Sequence, residues 1–104
     1  MTILRVWRGA VAREDADEYV AYLHETGLAD YEATAGNRGA MLLRRDDGEL
    51  TRITTLSLWD GLDDIRAFAG EDIEKARYYP EDDRFLVERE DVVEHWTVAG
   101  GKLG

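Results

Sequence analysis

From residue 3 to residue 11 the side chains alternate, with Leu4 and Val6 on one face and Ile3, Arg5 and Trp7 on the other, the period of two that a strand requires. Over residues 13–26 the period changes. Ala16, Tyr19, Val20 and Leu23 fall on one side of a helix, and Gly27 follows where a C-terminal glycine would stop it. Residues 28–36 show no clean period and read as a connecting loop. A second alternating stretch over 37–45 runs into Asp46-Asp47-Gly48, turn chemistry that supplies a residue with positive φ, and residues 50–59 resume as a strand paired antiparallel with it. Asp60 is placed to cap a helix with Leu62, Ile65, Phe68 and Ala69 on its apolar face, interrupted at Gly70. Residues 72–79 read as a further helical piece ending at Pro80, since the residue before proline is pushed out of the α region. Residues 91–99 form the last predicted strand, and residues 100–104 a flexible tail.

The order is βαββαβ: an α+β, ferredoxin-like domain over residues 3–99, with helices on one face of a four-stranded antiparallel sheet. The other face needs cover. Trp7, Ile53, Trp59 and one side of the last strand are expected there, and a bare antiparallel sheet carrying large apolar residues finds a partner. A homodimer packed through the open sheet faces is the expected solution.

With 104 residues the chain has room for one core. Lys and Arg number 13 against 23 Asp and Glu, a formal charge of −10 that repels phosphate backbones and anionic lipid. Neither a nucleic acid nor a membrane is an expected partner. The absence of cysteine excludes disulfides, thiolate nucleophiles and cysteine-ligated metals. Arginines interrupt the first apolar run, no signal-peptide core is present, and a cytoplasmic address is expected by default. Asp72, Glu74, Glu81 and His95 offer metal-binding atoms without a ligand spacing, and no glycine-rich phosphate cradle occurs. No metal or cofactor is expected.

The element order, together with SLWDG (57–61), FAGEDIEKARYYPED (68–82) and VVEHWTV (92–98), resembles the antibiotic biosynthesis monooxygenase-like proteins of the dimeric α+β barrel superfamily. The resemblance spans residues 3–98. It implies a dimeric barrel and, in some members, cofactor-independent oxygenation of aromatic polyketides; others degrade haem or have no established activity. The haem-degrading branch implies an asparagine on the first strand, a tryptophan at the end of the third and a haem-ligating histidine on the second helix. Trp59 matches the second of these, but the first strand offers Trp7 and Arg8, and residues 67–76 contain no histidine.

An oxygenase without metal or flavin needs a substrate anion able to reduce O₂, a general base, hydrogen-bond donors and a dry apolar cavity. His95 is the candidate base, because histidine titrates near neutrality; the alternative is a histidine bonded across a sheet or interface. His24 lies off the apolar stripe of its helix. Trp59 is either a pocket wall or core packing, and Asn37 either an anchor for a carbonyl or turn chemistry within AGNRG. Tyr78 and Tyr79, next to Pro80 and the acids 81–83, read either as the hinge of a lid offering a phenol to substrate or as an aromatic anchor at a helix end. A small hydrophobic or aromatic ligand is the expected partner. A non-catalytic module binding such a ligand is the alternative function, and a haem-handling protein a third.

Overall fold

The computed structural model describes residues 1–101. Strand β1 (Ile3–Ala12) is central, flanked on one side by β3 (Leu50–Trp59) with β2 (Asn37–Asp47) beyond it. On its other side lie β4 (Leu86–Arg89) and β5 (Glu94–Thr97), which pair with successive parts of β1; every pairing is antiparallel. The helices α1 (Ala16–Glu25), α2 (Gly27–Ala33), α3 (Leu62–Ala69) and α4 (Asp82–Phe85) complete an α+β architecture of the ferredoxin-like kind. The β2–β3 hairpin turns through Gly48 at φ 64°, as its sequence requires.

Three elements depart from the pattern of the sequence. Residues 28–36, expected as a loop, contain α2, which buries Leu28 and Tyr31 one turn apart. Gly27 opens this helix and does not merely stop α1. Residues 72–79, expected as a helix, are an irregular strap. Its backbone is drawn into an antiparallel bridge: the Ala76 N–H donates to the Asp91 carbonyl at 2.9 Å and the Val93 N–H to the Glu74 carbonyl at 2.8 Å. Hydrogen bonds to the sheet edge have replaced the local ones that helix propensity favours. The same bridge breaks the last strand, so the sheet has five strand segments where four strands were expected. β4 is a short apolar-then-charged stretch, LVER, that the alternation did not reveal. The expected tail, from residue 102 onward, falls outside the described residues; Gly100 and Gly101 are exposed.

Burial divides the sheet cleanly. Along β3 the residues Thr51, Ile53, Thr55, Ser57 and Trp59 are buried and their alternates are not. Register places Ile3 opposite Trp59, Trp7 opposite Thr55 and Gly9 opposite Ile53, so these residues share one face. Trp7, Ile53 and Trp59 are therefore not on the open face where they were expected. They lie beneath the helices, packed with Tyr19, Leu23, Tyr31 and Phe68, where the largest rings remove the most area from water. The open face carries Leu4, Leu56, Leu58, Met41 and Leu43, with Trp96 at 58 % exposure.

Trp59 is fully buried against Ile3, Tyr31, Ile65 and Phe68. Trp59→Ala is expected to lower the unfolding free energy by about 3–5 kcal/mol, read as a fall in the urea midpoint. Leu62→Ala, at an exposed position of α3, is expected to change it by less than about 0.5 kcal/mol.

Candidate functional site

Between the sheet and the helices lies a cavity of about 30 Å³, room for one water-sized molecule. Its aromatic wall comes from Trp7 on β1, Tyr31 on α2, Phe68 on α3, and Tyr78 and Tyr79 on the strap. Polar groups enter from Arg5, Thr55, Tyr19, Arg77 and Asp82. Each is placed by a simple local cause. The Trp7 ring lies against Gly9, where a Cβ would meet it at 2.7 Å. Tyr31 stacks on Phe68 with centroids 4.6 Å apart, and its hydroxyl shares a hydrogen bond with Thr55 at 3.2 Å.

Arg5 is 2 % exposed. Its Nη1 donates to the Ile73 carbonyl at 2.5 Å and to His95 Nε2 at 3.0 Å, and its Nη2 to the Lys75 carbonyl at 3.1 Å. A guanidinium can only donate, so His95 Nε2 is an acceptor and the imidazole is neutral with its proton on Nδ1. Burial, then the adjacent Arg5 charge, hold the His95 pKa below its ordinary value, with Glu74 opposing them. Burial likewise lowers the Arg5 pKa.

Asp82 is also 2 % exposed. It accepts from the Tyr19 hydroxyl at 2.9 Å and from the Tyr79 backbone N–H at 2.6 Å. Burial, followed by the Asp82 carboxylate, raises the Tyr19 pKa and keeps that phenol protonated. The strap is further fastened by side chains: the Tyr78 hydroxyl accepts from Trp7 Nε1 at 3.0 Å and donates to the Glu90 carbonyl, while the Tyr79 hydroxyl donates to Asp30.

The residues singled out from the sequence scatter over three environments. Tyr78 and Tyr79 both line the cavity, since the strap is extended and not helical. His95 stands behind Arg5 and is not part of the lining. Trp59 and Asn37 lie outside it. The Trp59 indole supports Tyr31 and Phe68 from behind and donates to Ser57 at 2.9 Å. The Asn37 amide is engaged by backbone, accepting from Gly39 at 3.1 Å and donating to Leu58 at 3.3 Å across a β-bulge. Arg5, Tyr31, Thr55 and Asp82 were not foreseen in the site. Arg5 carried a usable signal, a charge on the face of β1 shared with Ile3 and Trp7; Asp82 did not, because the acids 81–83 read as a solvated run and only this one turns inward. Among the described residues no cluster of three His, Asp or Glu side chains is arranged to hold a metal, and no helix is long and apolar enough to cross a membrane.

No family model matches this sequence, and no curated protein matches it. Solved structures do. A putative antibiotic biosynthesis monooxygenase from Bacillus cereus superposes with a TM-score of 0.68 at 10 % identity, covering 99 % of this chain and 98 % of its own. The Rv0793 protein of Mycobacterium tuberculosis gives 0.63 at 14 % identity over 97 % and 98 %. A putative antibiotic biosynthesis monooxygenase from Chloroflexus aurantiacus gives 0.63 at 15 % identity over 98 % and 97 %. The chain has the antibiotic biosynthesis monooxygenase-like fold. At these identities the likeness extends to the fold, and the chemistry rests on the residues of this chain.

Because the folded His95 pKa lies below that of the unfolded chain, unfolded molecules take up the proton first as the pH falls. The stability tied to the neutral ring is fully present above about pH 6.5 and is lost as the pH drops through the folded pKa. Urea midpoints measured between about pH 7.5 and 5 are expected to decline, and His95→Gln, which retains an acceptor for Arg5, to flatten that decline.

Proposed function

We propose that this protein is a cofactor-independent monooxygenase of a compact aromatic or polyketide-type molecule, working as a homodimer. The observation that carries the reading is the interior cavity, where an aromatic wall surrounds a buried guanidinium and a buried carboxylate. The two neighbours named as putative antibiotic biosynthesis monooxygenases support the reaction class. In such a reaction a base removes a proton from an activated ring CH₂, the carbanion passes an electron to O₂, and the radical pair combines as a peroxide. Loss of water then leaves a carbonyl, one oxygen atom having entered the ring and the other having left as water.

Asp82 lines the cavity and is assigned the proton. His95, the base expected from the sequence, is assigned to holding Arg5, because the guanidinium occupies its Nε2 lone pair. Arg5 and the tyrosine hydroxyls oppose the negative charge that develops. A ring does not fit in about 30 Å³, so entry requires the strap to move, and the strap is fastened mainly by side-chain hydrogen bonds that can be exchanged for contacts to a ligand. A cytoplasmic setting belongs to this reading.

The dimer would pair the open sheet faces. A shallow depression of about 650 Å³ there is lined by Leu4, Met41, Leu56, Leu58 and Val98, and charged side chains Arg8, Arg52, Glu88 and Glu94 lie toward the other end of the same face, paired as Arg8–Glu94 and Arg52–Glu88. An apolar patch next to balanced charges suits a self-complementary twofold contact.

Oxygen consumption with an anthrone or a dihydroxynaphthalene, each with and without a ring carboxylate, tests the reaction. Uptake with formation of quinone absorbance is expected, falling by about a hundredfold or more in Asp82→Asn and less in His95→Ala. Ring binding without oxygen uptake would instead mark a non-catalytic binding module. Sedimentation is expected to show a dimer at micromolar concentration, converted to a monomer by Leu56→Arg; a wild-type monomer counts against the assembly.

A further inference from the structure

We infer that the cavity takes the carboxylate group of its ligand, bound side-on to Arg5, and that the substrate class is an aromatic acid and not a neutral phenol. The inference rests on the reading of this cavity as the functional site.

The argument starts from charge. Arg5 is 2 % exposed, and among the described residues no carboxylate forms an ion pair with it. Its acceptors are two backbone carbonyls and a neutral imidazole. Taking a guanidinium out of water is costly unless a counter-charge accompanies it, and here the protein supplies dipoles and the Phe68 ring, whose centroid lies 5.8 Å from the guanidinium carbon, but no paired carboxylate. The cavity is lined by Arg5, Arg77 and Asp82; Asp82 is held by the Tyr19 hydroxyl and the Tyr79 backbone N–H and makes no ion pair with Arg5. Arg77 is already paired with Asp30 at 3.2 Å, which leaves Arg5 as the cation lacking an anion.

Donor geometry then narrows the anion. A guanidinium has five N–H groups in a fixed plane. Both on Nη1 and one on Nη2 are used, so the Nε–H and the second Nη2–H have no protein acceptor among the described residues. Those two nitrogens form the side edge of the guanidinium, a fork that matches the two oxygens of a carboxylate. A phenol offers one oxygen and, with an ordinary pKa of about 10, is uncharged at neutral pH. A carboxylate satisfies both donors and, with an ordinary pKa of about 4, neutralises the charge at neutral pH. About 30 Å³ accommodates a group of the size of a carboxylate, and the ring it carries enters only when the strap moves.

Benzoate and its uncharged counterpart benzamide test this on the intact protein at fixed ionic strength and neutral pH. Benzoate is expected to bind at least about tenfold more tightly. In ¹H–¹⁵N spectra of the arginine side chains, the Arg5 Nε–H resonance is expected to move with benzoate and stay in place with benzamide. Arg5→Gln is expected to weaken benzoate by about thirtyfold or more, and Arg5→Lys, which keeps charge without the fork, to weaken it as well. Should Arg5→Gln lose its fold by circular dichroism, the wild-type Nε–H resonance decides. Equal affinity for the two probes, benzoate affinity unchanged in a folded Arg5→Gln, or an Nε–H resonance unmoved at saturation each overturns the inference. Benzoate capture with no oxygen uptake from any phenol, carboxylated or not, removes the oxygenase reading and leaves the carboxylate site standing. Rapid oxidation of neutral phenols with Arg5 Nε–H indifferent to benzoate does the reverse.

Discussion

A guanidinium buried on the central strand organises this molecule. Arg5 emerges from β1 among Ile3, Trp7 and the helices, where its charge has to be solvated by the protein. The solvating groups are the Ile73 and Lys75 carbonyls, 68 and 70 residues along the chain. With Arg5 holding these carbonyls and the sheet edge holding the Glu74 carbonyl and the Ala76 N–H, the strap makes its hydrogen bonds to the rest of the molecule in place of the helical ones its sequence favours. The strap's course sets Tyr78 and Tyr79 over the cavity, and Arg5 also fixes the tautomer of His95. Strap, cavity and histidine therefore share one electrostatic cause.

The broken last strand follows from the same arrangement. Where the strap approaches the sheet, residues 91–93 leave the line between β4 and β5 to bond with it, and Val93 turns into the core. An uninterrupted strand would leave the Glu74 carbonyl and the Ala76 N–H without these partners, a cost comparable to the hydrogen bonds themselves.

Much of this was legible in the residues. The alternation of β1 and β3 and the turn at Gly48 each have one strong local cause and formed as expected; of the apolar face of α3, Ile65 and Phe68 are buried as expected, while Leu62 is exposed and Asp60 pairs with Arg38 and does not cap the helix. Features that arise between distant segments were not legible. Periodicity marks which residues share a face of β1 without saying which face the helices cover, so Trp7, Ile53 and Trp59 were assigned to the wrong side. The short apolar pair of Leu28 and Tyr31 gave too little period to reveal α2. In the site, Tyr78 and Tyr79 stood out by composition, while Asp82 is distinguished from Glu81 and Asp83 only by the hydroxyl of Tyr19, brought to it by packing.

β2 is the outermost strand, paired on one side only, and over its 11 residues it presents a row of backbone donors and acceptors that another polypeptide could zip onto. Its composition obstructs that. Gly39 breaks the register at one end, and Arg44, Arg45, Asp46 and Asp47 crowd the other with charges of both signs. The strand is thus protected against runaway edge-to-edge stacking, the route by which small open sheets turn into fibres.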